Sequence, residues 1–160
     1  MKYLITTIVM LVSLSLSMSS CGKDNEQKIT SESTDNDGQT DNPTGSKMKV
    51  TIGTAVFTAT FNSNAAATAF KARLPVTLNM TELNGNEKYF DLPVALPANA
   101  SNPGTIHTGD LLLYGSNTLV LFYKTFSTSY SYTRIARVDN PAGLVAALGS
   151  GNATVKFELQ

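Results

Sequence analysis

From residue 49 onward the chain alternates apolar and polar positions in short runs separated by turn residues. Lys49-Val50-Thr51-Ile52-Gly53 and Ala55-Val56-Phe57-Thr58-Ala59-Thr60-Phe61 have period two on either side of Gly53-Thr54, the pattern of a β-hairpin. That register turns Val50 and Ile52 inward and sets Phe57 and Ala59 across from them. Asn62-Ser63-Asn64 then supplies N-cap chemistry for a short helix with Ala66, Ala69, Phe70 and Leu74 on one face, stopped by Pro75. Extended structure resumes at Val76-Thr77-Leu78-Asn79-Met80 and turns at Asn84-Gly85-Asn86 into Glu87-Lys88-Tyr89-Phe90, and Leu92 to Thr105, with Pro93, Pro97 and Pro103, reads as a loop.

Asp110-Leu111-Leu112-Leu113-Tyr114 and Thr118-Leu119-Val120-Leu121-Phe122-Tyr123 are almost unbroken apolar runs around Gly115-Ser116-Asn117. Such runs predict a central hairpin covered on both faces. Tyr130 to Val138 alternates more openly. Asn140-Pro141 is expected to cap a second short helix that carries Leu144, Val145 and Leu148 inward, with Gly149 at its end and Thr154 to Leu159 as the final strand. The sum is an all-β fold of about eight strands with two short helices, a closed barrel whose ends the helices can cover.

The first 47 residues have no such periodicity. Met1-Lys2-Tyr3 is a short cationic start, and Leu4 to Met18 is an apolar run diluted by Ser13, Ser15 and Ser17, ending in Ser19-Ser20-Cys21. This is the three-part layout of a secretory signal peptide over 1–20, and the serines make it a poor membrane span. Residues 22–47 hold one strong hydrophobe, Ile29, and six acids against three bases. The segment 21–47 therefore reads as a disordered tether, with a span of about 25–30 Å as a flexible coil, and 48–160 as the folded domain.

Composition excludes more than it assigns. Residues 48–160 carry eight basic and six acidic side chains, so no basic field points to nucleic acid. One Cys and one His allow neither an internal disulfide nor a soft-metal site, and no cofactor is expected.

Two family resemblances follow. Met18-Ser19-Ser20-Cys21 resembles a bacterial lipobox in a relaxed form seen in the Bacteroidota. It implies that Cys21 is lipidated and anchors the domain to the cell membrane or outer membrane, facing the periplasm or the exterior. Lys23-Asp24-Asn25-Glu26 resembles the acidic export tags of surface lipoproteins in that group. In the domain three stretches resemble bacterial cyclophilin-like domains of unknown function. These are Phe70 to Pro75 with Asn86 to Phe90, Thr108 to Gly115 followed by Asn117 and Leu119 to Tyr123, and Asn140 to Leu144. The resemblance implies a cyclophilin-like barrel. True cyclophilins act on the prolyl amide with an arginine after a Phe-His pair, a Gln-Gly-Gly-Asp stretch and a downstream histidine. Here Met80 to Phe90 has no Arg or His, and Thr108 precedes Gly109-Asp110. No catalytic residue is therefore assigned. The resemblance implies a non-catalytic ligand- or partner-binding module, with a divergent prolyl isomerase or an accessory of flavodoxin-like redox proteins as alternatives.

Candidate chemistry is sparse. His107 near Asp110 suggests an acid/base pair, but without a serine elbow or second histidine it reads as a loop residue. Glu82 and Glu87 flank a turn and read as solvated charges, and Gly149-Ser150-Gly151 reads as a plain turn. Tyr130, Tyr132 and Arg134 share one face if that segment is a strand, and two phenols with a guanidinium suit a planar or anionic ligand. Phe126, exposed beside them, completes the expected binding surface for an unknown small molecule or protein.

Overall fold

The computed structural model describes residues 45–160; the expected signal peptide over 1–20, Cys21 and the part of the expected tether through residue 44 lie outside the described residues. β1 (Lys47–Ile52) and β2 (Ala55–Phe61) form the expected hairpin. Val50 lies opposite Phe57 and Met48 opposite Ala59, and all four are buried. Backbone pairing begins before residue 48: the amide of Gly45 donates to Phe61 O at 2.9 Å, and that of Phe61 donates to Ser46 O at 3.0 Å.

α1 (Ala65–Lys71) starts where the cap chemistry placed it. Asn64 Oδ1 accepts from the Ala67 amide at 2.8 Å, and Asn64 Nδ2 donates to Arg134 O at 2.7 Å. The cap therefore also ties the helix to the sheet. Ala66, Ala67 and Phe70 are buried, and Phe70 meets Phe157 edge-on at 5.7 Å between ring centroids. Leu74 lies beyond the helix end.

β3 (Val76–Leu83) and β4 (Glu87–Asp91) are joined by a tight turn in which Asn84 and Gly85 both have positive φ, 57° and 68°. Two consecutive left-handed residues make the hairpin turn that matches strand twist, which is why Asn-Gly stands there. β6 (Asp110–Tyr114) and β7 (Thr118–Phe122) form the central hairpin, followed by β9 (Thr133–Val138) and β10 (Ala153–Leu159). These eight strands close an antiparallel barrel in the order β1-β10-β3-β4-β7-β6-β9-β2. α2 (Leu144–Leu148) buries Leu144 and Leu148, one helical turn apart, while Val145 is 51% exposed and does not point inward. Gly143, not Asn140, is its N-cap, and Asn140 Oδ1 instead accepts from the Ala142 amide in a turn before the helix.

Two short strands, β5 (Thr105–Ile106) and β8 (Phe126–Ser127), pair outside the barrel, and the sequence pattern does not show them. They explain the double coverage of β6 and β7. Leu111, Leu113, Leu119 and Leu121 fill the barrel, whereas Leu112, Val120 and Phe122 point outward and pack with Ile106 and Tyr132 in a second buried cluster. Alternate residues of each strand thus belong to two cores.

The register between β6 and β9 contains a bulge. Leu111 lies opposite Ala136 but Leu112 opposite Arg134, leaving Ile135 as the extra residue. An inserted residue reverses the facing of everything before it. Ala136 and Val138 therefore face the interior, while Tyr132 belongs to the outer cluster.

Candidate binding groove

The outer faces of β4, β6 and β7 and the segment before β9 border a groove of about 430 Å³. Its apolar walls are Val120, Phe126 and the rings of Tyr89, Tyr114, Tyr130 and Tyr132, and its polar end holds Asn84, Asn86 and Glu87. The aromatic side is built ring on ring. Tyr114 packs against Tyr130 at 6.2 Å and Tyr132 at 5.6 Å, and Phe122 supports Tyr132 and Phe126 at 5.6 and 5.7 Å from below.

Three of the four residues expected from the sequence to form the binding surface meet here. Tyr130 is 61% exposed at the rim, Tyr132 is 9% exposed and Phe126 is half-buried rather than exposed. Tyr130 and Tyr132 precede β9, which begins at Thr133, so they do not share a continuous strand with Arg134. Arg134 lies across from Leu112, half-buried, and is not among the residues that line the groove. The charges that do line it are the carboxylates of Glu87 and Asp91.

Neither glutamate beside the turn is a solvated loop charge. Glu82 lies on β3 and receives hydrogen bonds from Lys88 Nζ, Tyr123 Oη and the Gly85 amide. Burial alone would raise its pKa, yet these donors hold the carboxyl below the usual range. Lys88 is fully buried, its ammonium also donating to Gly149 O at 3.0 Å and Gly151 O at 2.6 Å, with the Tyr123 ring 5.1 Å away. The Gly149-Ser150-Gly151 turn is thus a carbonyl cradle for a lysine. Glu87 points the other way, paired with Phe122 on the outer face, and has no ion-pair partner among the described residues. Burial, then repulsion from Glu82, pushes its pKa up. Burial, together with Glu87 and the neighbouring phenols, pushes Tyr132 up to about 12, so this hydroxyl keeps its proton.

His107 and Asp110 do not form an acid/base pair. Asp110 is buried, accepting from the His107 backbone amide at 2.8 Å and from Arg137 Nε at 2.6 Å, while His107 is exposed. Gly109 permits this turn with φ 93°, where a Cβ would come within 3.0 Å of Val138 Cβ.

Asn86 borders the groove, and its Oδ1 is buried without a hydrogen-bond partner among the described residues. Sequence inspection had no means of finding it, nor Tyr89 and Tyr114, whose neighbours arrive from other strands.

Residues 50–158 match the cyclophilin-like family, and the chain belongs to that family. Among solved structures, a hypothetical protein from Archaeoglobus fulgidus is similar at 15% identity and a TM-score of 0.48, over 76% of this chain and 100% of that one. No curated protein matches the chain.

Proposed function

We propose that the barrel is a non-catalytic binding module, held at a membrane outside the cytoplasm by lipid on Cys21, and that the outer groove receives its ligand or partner. The observation that carries this reading is the groove itself: a concave, ring-walled surface resting on a second buried cluster. Ligand sites are typically apolar concavities with a few placed polar groups, and the volume falls at the small end of their range. Family membership does not supply the function, because one barrel supports many activities.

Prolyl isomerisation is disfavoured because no Arg, Lys or His lines the groove. A preorganised donor at the twisting amide typically accounts for about 10²–10³ in rate. A protease-coupled isomerase assay on the full chain is therefore expected to stay at the uncatalysed background; a rate well above it would replace this reading with the enzymatic one. Fragment-sized ligands screened by NMR are expected to shift resonances around Tyr114, Tyr130, Tyr132 and Phe126. Shifts clustering elsewhere would move the site.

The anchor has its own test, motivated by Met18-Ser19-Ser20-Cys21 after an apolar run. A palmitate analogue is expected to label the wild type in cells and not Cys21→Ser, which leaves the membrane fraction. A single acyl chain binds membranes only marginally, so the stable anchoring proposed needs more than one chain on the cysteine. Equal labelling of both forms overturns the anchor.

A further inference from the structure

The unmet chemistry of the groove has one sign. Its lining charges are the carboxylates of Glu87 and Asp91, and no lining residue is cationic. Asp91 accepts a hydrogen bond from Thr118 Oγ1 at 2.6 Å, which leaves its charge uncompensated. Glu87 has neither a cationic partner nor a side-chain donor among the described residues. Asn86 borders the same groove, with its Oδ1 buried behind the surface. The same groove is lined by four tyrosine rings and Phe126, whose faces attract cations and which can bury an apolar stem. An anion would meet repulsion from two carboxylates here, and a neutral apolar molecule would leave Glu87 unmatched.

We propose that the groove takes a primary alkylammonium group on an apolar stem, the ammonium at the Glu87 carboxylate and the stem against Tyr114, Tyr130 and Tyr132. The inference rests on the groove being the binding site proposed above. A primary ammonium fits better than a quaternary one, because the Glu87 carboxylate, which has no side-chain donor among the described residues, accepts an N–H bond that a quaternary centre cannot give. The raised pKa of Glu87 agrees: it marks a partly desolvated carboxylate not yet neutralised by a neighbour. The same chemistry occurs in free amines and in lysyl side chains.

The test is titration calorimetry on the full chain with three probes sharing one apolar body: phenethylamine, phenethyl alcohol and hydrocinnamate. Phenethylamine is expected to bind saturably, at least about tenfold tighter than the alcohol, with hydrocinnamate weakest. Glu87→Gln should erase the preference for the amine. Tyr130→Ala removes an exposed ring, leaves the fold intact and should weaken both the amine and the alcohol. Amine affinity should fall as pH drops through the raised pKa of Glu87, a midpoint above 4.5. The titratable groups around Glu87 are Glu82 on β3, Asp91 and Tyr89 on β4, Tyr123 after β7, and Tyr114, Tyr130 and Tyr132. Nα-acetyl-lysinamide binding more tightly than phenethylamine identifies a lysyl side chain as the source, and the reverse order a free amine. Equal or tighter binding of the alcohol or hydrocinnamate overturns the charge assignment while leaving the groove as the binding site. Failure of both amines to bind at millimolar concentration overturns the inference too, and the NMR screen then decides separately whether the groove binds anything.

Discussion

Lys88→Ala is expected to cost about 3–5 kcal/mol, the usual effect of removing one partner of a buried ion pair, and to lower Tm on the order of 10–20 °C. The ammonium is 0% exposed and bonded to Glu82, Gly149 O and Gly151 O. Removing it leaves the Gly149 and Gly151 carbonyls and the Glu82 carboxylate without the lysine donor, along with a cavity. It also unpins the β3–β4 hairpin from the turn between α2 and β10. Amide exchange at Gly85 and Asn86 should therefore quicken. Lys88→Met retains most of the volume, so it should recover the packing part of the loss but not the polar part. A loss under about 1 kcal/mol would put Lys88 in the class of an exposed pair. The pH dependence has a definite sign. Because Glu82 has a lowered pKa in the folded state, its contribution is fully present above the ordinary glutamate value of 4.5 and is lost as pH falls through the folded value. In Lys88→Ala that acid loss should be shallower.

Phe122→Ala is the second large effect, about 3–5 kcal/mol by truncation of a fully buried ring. Unlike an interior substitution, it should also dismantle the groove. Phe122 is the ring on which Tyr132 and Phe126 rest, and among the described residues its cluster buries Ile106, Leu112, Val120 and Tyr132 besides itself, with Tyr89 and Phe126 partly buried against it. The cover is thin: β5 and β8 pair over just two residues each. Loss of Phe122 should free β8, flatten the aromatic wall and abolish amine binding in whatever protein remains folded. Phe70→Ala, in the interior cluster, provides the contrast. It should cost a similar amount in urea unfolding and leave groove resonances in place. Phe122→Leu is expected to recover most of the stability and only part of the binding. If Phe70→Ala and Phe122→Ala disturb the groove equally, the two cores are not energetically separate.

The barrel itself was readable because its signals are local. Period-two alternation around Gly53, the Asn84-Gly85 turn, the cap at Asn64 and the apolar runs on either side of Gly115 each specify an element within a few residues. The burial of Val50, Ile52, Phe57 and Ala59 follows from the same alternation. The doubly apolar β6 and β7 even implied a second covering layer, although not what it is. The two-residue strands β5 and β8 fall below any periodic signal, since two residues contain no repeat.

The candidate site was readable only in part. Tyr130, Tyr132 and Phe126 stood out as ring-bearing residues near one another in the chain, and the fold does gather them. Arg134 satisfied the same spacing but does not line the groove. The chain order of Met80 to Phe90 displays Glu82, Glu87 and Lys88 as three charges near a turn. Only the closed sheet turns Lys88 and Glu82 inward to the Gly149 and Gly151 carbonyls and Glu87 outward to the rings, because successive strand residues take opposite faces and a face acquires meaning from what packs on it. The bulge at Ile135 acts similarly, since strict alternation through it would have put Tyr132 on the same side as Ala136 and Val138. Local patterning thus determined the barrel strands, their turns and the inward faces of β1 and β2. Tertiary closure decided the sign of the groove's charge and the residues that share it, because those depend on strands distant in sequence meeting across the sheet.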